Sequence, residues 1–405
     1  MISSSRYKLA WRYDILCIGL NGFQKTYFVD AYTGEVFRET NIGRSNGPAV
    51  ITFNANRTID TKQRGFPHHD WILQTDDATR NIHTKYYSSN AWFIQSNVKK
   101  SNDIWNATEV MATDPHWIVS EAWDYYLTVH SRTGMNDHGS IVKVQGNWNQ
   151  PQAHFIRRNG DSYIEIGTVN NLYLATLDIV GHEYMHGITW QTSNLTGWDE
   201  AGALDESFSD IMGEALERWF RGTNDWVTGN DLGTGVDLNG AMLRRSLQNP
   251  SALGSNADPN NGCSKSTGNP DTYLGTFWNT DDSCDNGGIH SNCGVQNFCF
   301  FLLSQGGSGT NDNGGFYSVT GIGADDAALI AYNTVVNNLT SVSQFTNSRA
   351  NSIAVARAIF GTCSNEEIQT QNAWAAVGIG FRSLCQNNSI STFNQLEKKS
   401  TIYIP

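Results

Sequence analysis

The chain has 405 residues, of which 16% are charged and 11% aromatic, and a formal net charge of −12. That length allows two or more domains, each with a sizeable core. The acidic balance argues against nucleic acid or another polyanion as partner, and no run of eighteen apolar residues offers a spanning helix.

Taken in chain order, residues 9–14 and 27–36 read as two strands about a turn. Residues 15–20 are too short and poorly flanked for a secretion signal. From there to about residue 170, β-branched and aromatic residues separated by Gly, Asn and Asp predict a largely antiparallel sheet lobe. One helix, 114–127, interrupts it. Residues 173–180 lead as a half-buried helix into His182-Glu183-Tyr184-Met185-His186, and 202–212 form a second helix. Beyond residue 200 the pattern is helical, with helices expected at 324–338, 345–360 and 366–377. Abundant Asn, Ser, Thr and Gly suit an extracellular surface.

The run at 182–186 carries the chemistry. On a helix, positions i and i+4 share a face, so two imidazoles converge on one metal with Glu183 beside them. Glu206 follows on the second helix. Three protein ligands leave the fourth zinc position open, which marks a catalytic rather than a structural site. Of seven cysteines, Cys17 lies near the start. The even number that remains suits disulfides, and Cys363 with Cys385 would bracket the last helix. A cysteine zinc site competes, but no C-x-x-C pair exists.

These motifs resemble the thermolysin family of secreted zinc endopeptidases. The family follows H-E-x-x-H with N-E-x-x-S-D, and this chain has Asp205-Glu206-Ser207-Phe208-Ser209-Asp210, with Asp in place of Asn. It carries D-N-G-G-V-H where this chain has Asp285-Asn286-Gly287-Gly288-Ile289-His290. The resemblance implies that His182, His186 and Glu206 bind zinc and that Asp210 orients a zinc histidine. It implies that Glu183 is the base and that His290 stabilises the oxyanion with support from Asp285. Asp210 lies one turn after Glu206, where a zinc histidine needs a carboxylate. Arg245 matches the arginine that binds a substrate carbonyl, and Gln152 and Ala153 match an edge strand that pairs with substrate backbone. Asp178, Glu217 and Asp225 match calcium ligands; carboxylates gathered there would repel without a hard cation. A further family acid is Asn230 here, so one calcium is expected rather than two. His116, in a helix similar to the family's D-A-H-Y helix, is expected to pack or cap rather than ligate.

Two departures stand out. The family tyrosine that assists the oxyanion histidine should fall near Gly197, where Trp198 is the neighbour. The residue before the substrate arginine is usually apolar; here it is Arg244. The V-D-A-x-T-G-E-V pattern near residue 30 resembles the end of the family's propeptide. The expected architecture is thus an α+β, two-lobe, thermolysin-like fold with the zinc helix between the lobes. Residues 1–45 are a propeptide remnant, 46–190 the β-rich lobe, 191–381 the helical lobe and 382–405 a tail. The expected function is a secreted, monomeric, zymogen-derived zinc metalloendopeptidase acting on proteins or peptides, with its own propeptide as a further partner. The rival is a secreted binding or adhesion protein that keeps the fold. An exopeptidase would need a group to capture a substrate terminus, and none is evident.

Overall fold

The computed structural model describes residues 10–16, 24–30, 36–41, 46–51, 55–63, 70–76, 80–87, 95–101, 105, 110–146, 148, 150–169, 172–232, 244–253 and 268–385. The expected remnant contains three antiparallel strands, Ala10–Leu16, Gln24–Asp30 and Val36–Asn41. The single strand expected over 27–36 is therefore two strands. Residues 31–35, Cys17, Cys263 and the tail from 386 onward lie outside the described residues.

The lobe is largely antiparallel, as expected, but the sheet that carries the site has a parallel centre. Val142–Gly146 lies at its centre and pairs in parallel with Asn81–Tyr87 and with Asp161–Ile166. Antiparallel pairing is confined to the flanks, including Ala153–Arg158 against Asp161–Ile166. Ala153–Arg158 is an edge strand of this sheet. Helix α1, Val110–His130, packs on the sheet with Ala112, Ile118, Val119 and Ala122 buried against Ile82, Val142 and Val144. It holds Pro115, which has no N–H to offer the carbonyl of Met111 four residues back. The Tyr173 hydroxyl donates to that carbonyl instead, so the strand before the next helix is tied to α1. His116 is buried and its Nδ1 lies 2.7 Å from Thr84 Oγ1.

Helix α2 is Leu177–Gln191 and helix α3 is Asp199–Arg221. The Thr176 hydroxyl caps α2 by accepting from the Ile179 N–H at 3.3 Å. Gly222, in the left-handed region at φ 79°, ends α3. The helices pack closely because Gly181 and Gly213 face each other. A Cβ built on Gly181 would lie 3.1 Å from the Gly213 Cα, and one on Gly213 only 2.4 Å from the Asp178 carbonyl oxygen. This near-backbone contact is what lets short side chains of α3 reach the imidazoles of α2.

The second lobe builds on α3. It comprises α4 (Asp285–Asn292), α5 (Gly294–Gln305), α6 (Ala324–Asn337), α7 (Phe345–Phe360) and α8 (Asn365–Ala376). Phe208 and Ile211 of α3 share one core with Leu302, Leu303, Ala327 and Trp374. A hairpin of Gly307–Thr310 and Phe316–Val319 interrupts the helices where no strand was expected. Cys363 and Cys385 form the expected disulfide, and Cys284 is also disulfide-bonded. Cys293 and Cys299 are buried free thiols, contrary to the reading of six paired cysteines. Among the described residues, no helix is long and apolar enough to cross a membrane.

Candidate active site

His182 and His186 project from one face of α2, with their Nε2 atoms 2.9 Å apart. Each ring is anchored at its other nitrogen. His182 Nδ1 lies 2.9 Å from Asp210 Oδ1, and His186 Nδ1 lies 3.0 Å from Asp205 Oδ2. The Nδ1 protons therefore belong to these bonds, which leaves two Nε2 lone pairs facing each other. Glu206 completes the group: its carboxylate lies 3.4 Å from His182 Nε2 and 3.5 Å from His186 Nε2. The buried Glu206 Oε2 has no hydrogen-bond partner. Converging lone pairs beside an unsatisfied buried carboxylate repel one another unless a cation sits among them. This two-imidazole, one-carboxylate donor set fits zinc with an open fourth position.

The electrostatics agree. Burial and the facing His186 disfavour protonated His182, yet hydrogen bonds to Asp210 and Glu206 raise its pKa to about 9. Burial likewise opposes charge on His186, but Asp205 and Glu206 lift it well above the usual range. Burial would raise Glu206, but His290, His186 and His182 hold it well below. The pocket field thus favours a positive charge at the convergence point.

Arg245 sits behind this group rather than openly in the cleft. It is buried and donates to both oxygens of Asp210, at 2.7 and 2.6 Å, while Asn297 donates to Asp210 Oδ2 at 2.8 Å. One guanidinium nitrogen is 3.6 Å from Glu206 Oε2 and the side chain still lines the cleft, so its position is compatible with the expected substrate contact. Arg244 points elsewhere and donates to Asn230 at 2.8 Å.

Glu183 faces the site from α2 and accepts from the Phe155 N–H at 2.6 Å. Across the cleft, α4 begins with a left-handed run: Asp285 and Asn286 both at φ 52°, then Gly287 at 85° and Gly288 at 78°. For the two non-glycines that run costs about 1–2 kcal/mol each, and the glycines complete it without a Cβ penalty. The turn brings Asp285 back under His290. Asp285 accepts from the His290 backbone N–H at 2.9 Å, and its other oxygen lies 2.6 Å from Nδ1. His290 Nε2 then faces Glu206 Oε1 at 3.4 Å. Burial lowers the His290 pKa, but Glu206 and Asp285 outweigh it and leave it raised.

The cleft has a volume of about 340 Å³. Gln152 and Ala153 line it, with Ala153 opening the edge strand. Trp198 does not take the place of the absent tyrosine: it is 56% exposed and is not among the cleft-lining residues. Sequence reasoning missed Asp205 as the partner of His186, Asn297 as a partner of Asp210, and the Phe155 N–H. For Asp205 the signal was present, as an acid standing where the family has Asn.

A second acidic group lies at the far side of α3. Glu214, Glu217 and Asp225 each offer an oxygen within 4.8 Å of the others. Glu214 was not anticipated. Asp178, expected among the ligands, has both oxygens engaged: Ile179 N–H and the Thr176 hydroxyl donate to one, and Gly229 N–H to the other at 2.5 Å. Burial first, then Asp178 and Asp225, push Glu217 up to about 8, and burial with the same neighbours and Glu217 pushes Glu214 well above its usual range. Glu214 Oε1 and Glu217 Oε2 are buried without partners. These oxygens fit a hard cation.

Comparison with known proteins agrees with this geometry. The family model "Thermolysin metallopeptidase, catalytic domain" matches residues 47–190, and "Thermolysin metallopeptidase, alpha-helical domain" matches 193–379. Bacillolysin of Brevibacillus brevis is 28% identical over 87% of this chain and 61% of its own length. Thermolysin of Alicyclobacillus acidocaldarius subsp. acidocaldarius is 29% identical over 69% of this chain and 47% of its own. The chain thus spans about half to three fifths of these relatives. The solved precursor of protealysin, a metalloproteinase from Serratia proteamaculans, shares the fold with a TM-score of 0.56 at 22% identity, over 73% of this chain and 87% of that one. The two domain matches together cover most of the chain, which belongs to the thermolysin metallopeptidase family.

Proposed function

We propose that this protein is a zinc-dependent endopeptidase that hydrolyses internal peptide bonds of proteins or peptides. The observation that carries the reading is the pair of facing Nε2 atoms at 2.9 Å beside a buried, unsatisfied Glu206 oxygen, with Glu183 and His290 on the same cleft. His182, His186 and Glu206 would hold the zinc, which when bound supplies Lewis-acid polarisation of the scissile carbonyl and lowers the pKa of a water. Glu183 takes the proton of the attacking water and passes it to the leaving amine as the C–N bond breaks. His290 keeps its Nδ1 proton on Asp285, so its Nε2 donates only as an imidazolium. The Asp285 carboxylate 2.6 Å from Nδ1 favours that form, which donates to the developing oxyanion. Asp210 and Asp205 fix the two imidazoles, and Arg245 holds Asp210 while reaching toward a substrate carbonyl.

The open edge of Ala153–Arg158 suits a substrate that adds as a further strand, beginning at Gln152 and Ala153. Glu214, Glu217 and Asp225 would hold one structural calcium, with Asp178 adding to its field. Secretion is supported by the Cys363–Cys385 disulfide, since such bonds persist outside the reducing cytosol. The three-stranded sheet over 10–41 would be the end of a propeptide.

The test is cleavage of an end-blocked, quenched peptide library, with Glu183→Gln and a chelator as controls. Cleavage abolished by both and restored by zinc supports the reading. A folded, zinc-loaded protein that cuts nothing refutes it and favours a binding role.

A further inference from the structure

We infer that Trp190 and Arg157 form a selective subsite of the cleft, which takes a large apolar side chain, best an aromatic one, at the third residue before the scissile bond. This rests on the endopeptidase reading and adds a specificity to it.

The zinc helix and the edge strand run in step. Phe155 donates its N–H to Glu183 and its ring packs where a Cβ on Gly187 would meet it at 3.0 Å. Two residues further along the strand, about 7 Å, the Arg157 guanidinium stacks on the Trp190 ring at 3.9 Å. Trp190 lies one helical turn beyond His186, about 6 Å along the axis. The Trp190 indole is thus carried past the metal ligands toward the far end of the cleft, which it lines together with Leu195 and Phe155.

That indole is 44% exposed although Arg157 covers one face. A large aromatic surface left open inside a cleft gains most from a side chain that lies flat on it. Arg157 is itself held, with one nitrogen donating to the Gly160 carbonyl at 2.7 Å, so the stack is a fixed platform. Charge narrows the choice. The guanidinium repels a basic side chain.

Direction follows from the edge strand. The Phe155 N–H points into the cleft at the catalytic carboxylate, so the two-residue repeat turns the Arg157 N–H to the same edge. A peptide adding antiparallel to Ala153–Arg158 places its reacting carbonyl near Phe155. The residue opposite Arg157 then lies two positions toward the peptide's amino end. Its side chain points to the same face as Arg157, against Trp190.

The experiment measures kcat/KM for end-blocked peptides that differ only at that position (Phe, Leu, Ala or Lys), with cut sites read by mass spectrometry. The expected wild-type preference is Phe over Ala by about two- to ten-fold, with Lys no better than Ala. Trp190→Ala should bring the Phe-to-Ala ratio close to one, and Trp190→Phe should keep most of it. Arg157→Gln should lower the ratio and relax the rejection of Lys. If Trp190→Ala does not fold, Trp190→Phe and Arg157→Gln still decide. An unchanged ratio in zinc-loaded variants, or a preference only at other positions, overturns the assignment. Absence of any cleavage by zinc-loaded wild type instead removes the endopeptidase reading, and this one with it.

Discussion

Gly213→Ala tests whether the zinc site depends on the close approach of α2 and α3. By helix propensity alone, Ala in place of an interior Gly stabilises by about 1 kcal/mol. The packing opposes this. The new Cβ would lie 2.4 Å from the Asp178 carbonyl oxygen and 3.3 Å from the His182 nitrogen. Neither neighbour is a flexible side-chain end; both are helix backbone. Relief to ordinary contact requires the helices to separate by about 1 Å, and overpacking of this kind costs about 1–3 kcal/mol. The net effect is a loss of roughly 0–2 kcal/mol, or a fall in Tm of at most about 2–3 °C at this size. The zinc ligands should suffer more than stability does. His182 and His186 ride on α2 while Glu206, Asp205 and Asp210 ride on α3, and such constellations tolerate only about 0.5 Å. Zinc affinity, read by competition with a chromogenic chelator, should fall by about ten-fold or more. A variant with raised Tm and wild-type zinc affinity would refute the reasoning.

Other outcomes follow from the same geometry. Glu217, raised to about 8 in the fold against an unfolded value near 4.5, and Glu214, raised well above it, retain protons that the unfolded chain gives up. Their contribution is present below pH 4.5 and is lost as pH rises to about 8. With calcium removed, stability, read as Tm, should therefore fall across that window, and added calcium should flatten the curve; a flat curve without calcium contradicts the cluster. Asp205→Asn keeps a hydrogen-bond acceptor for His186 but removes a charge, so zinc affinity should drop by up to about ten-fold, measured by chelator competition; an increase would contradict this role. His290→Ala should lower kcat by about 10²-fold with little change in zinc content, checked by steady-state kinetics beside metal analysis; unchanged kcat would remove it from the oxyanion.

Much of the site was legible because it is written in local spacing. The four-residue step from His182 to His186 fixes a shared helix face, and the same step joins Glu206 to Asp210 on α3. A Gly287-Gly288 pair suits a turn, but the left-handed run that folds Asp285 under His290 includes Asp285 and Asn286 too, which residue type alone does not dictate. What stayed hidden depends on tertiary contact. Asp205 meets His186 only where α3 folds back on α2, and Asn297 meets Asp210, 87 residues away, only once α5 packs on α3. Glu214 drew no reading from the sequence, and only the fold of α3 groups it with Glu217 and Asp225. The parallel strands at the sheet centre were missed because a strand buried on both faces shows no alternation from which to read its partner's direction. Cys293 and Cys299 look like disulfide partners by count, yet both are buried free thiols, Cys293 donating to the His290 carbonyl and Cys299 packed in the core.

The most direct test of the central claim is zinc K-edge X-ray absorption on protein reconstituted with one equivalent of zinc. The account predicts nitrogen and oxygen neighbours only, at about 2.0–2.2 Å, with two imidazoles, one carboxylate and an exchangeable water, and loss of this signature in His182→Ala and Glu206→Ala. Sulfur neighbours at about 2.3 Å, or an identical spectrum in those variants, would contradict it.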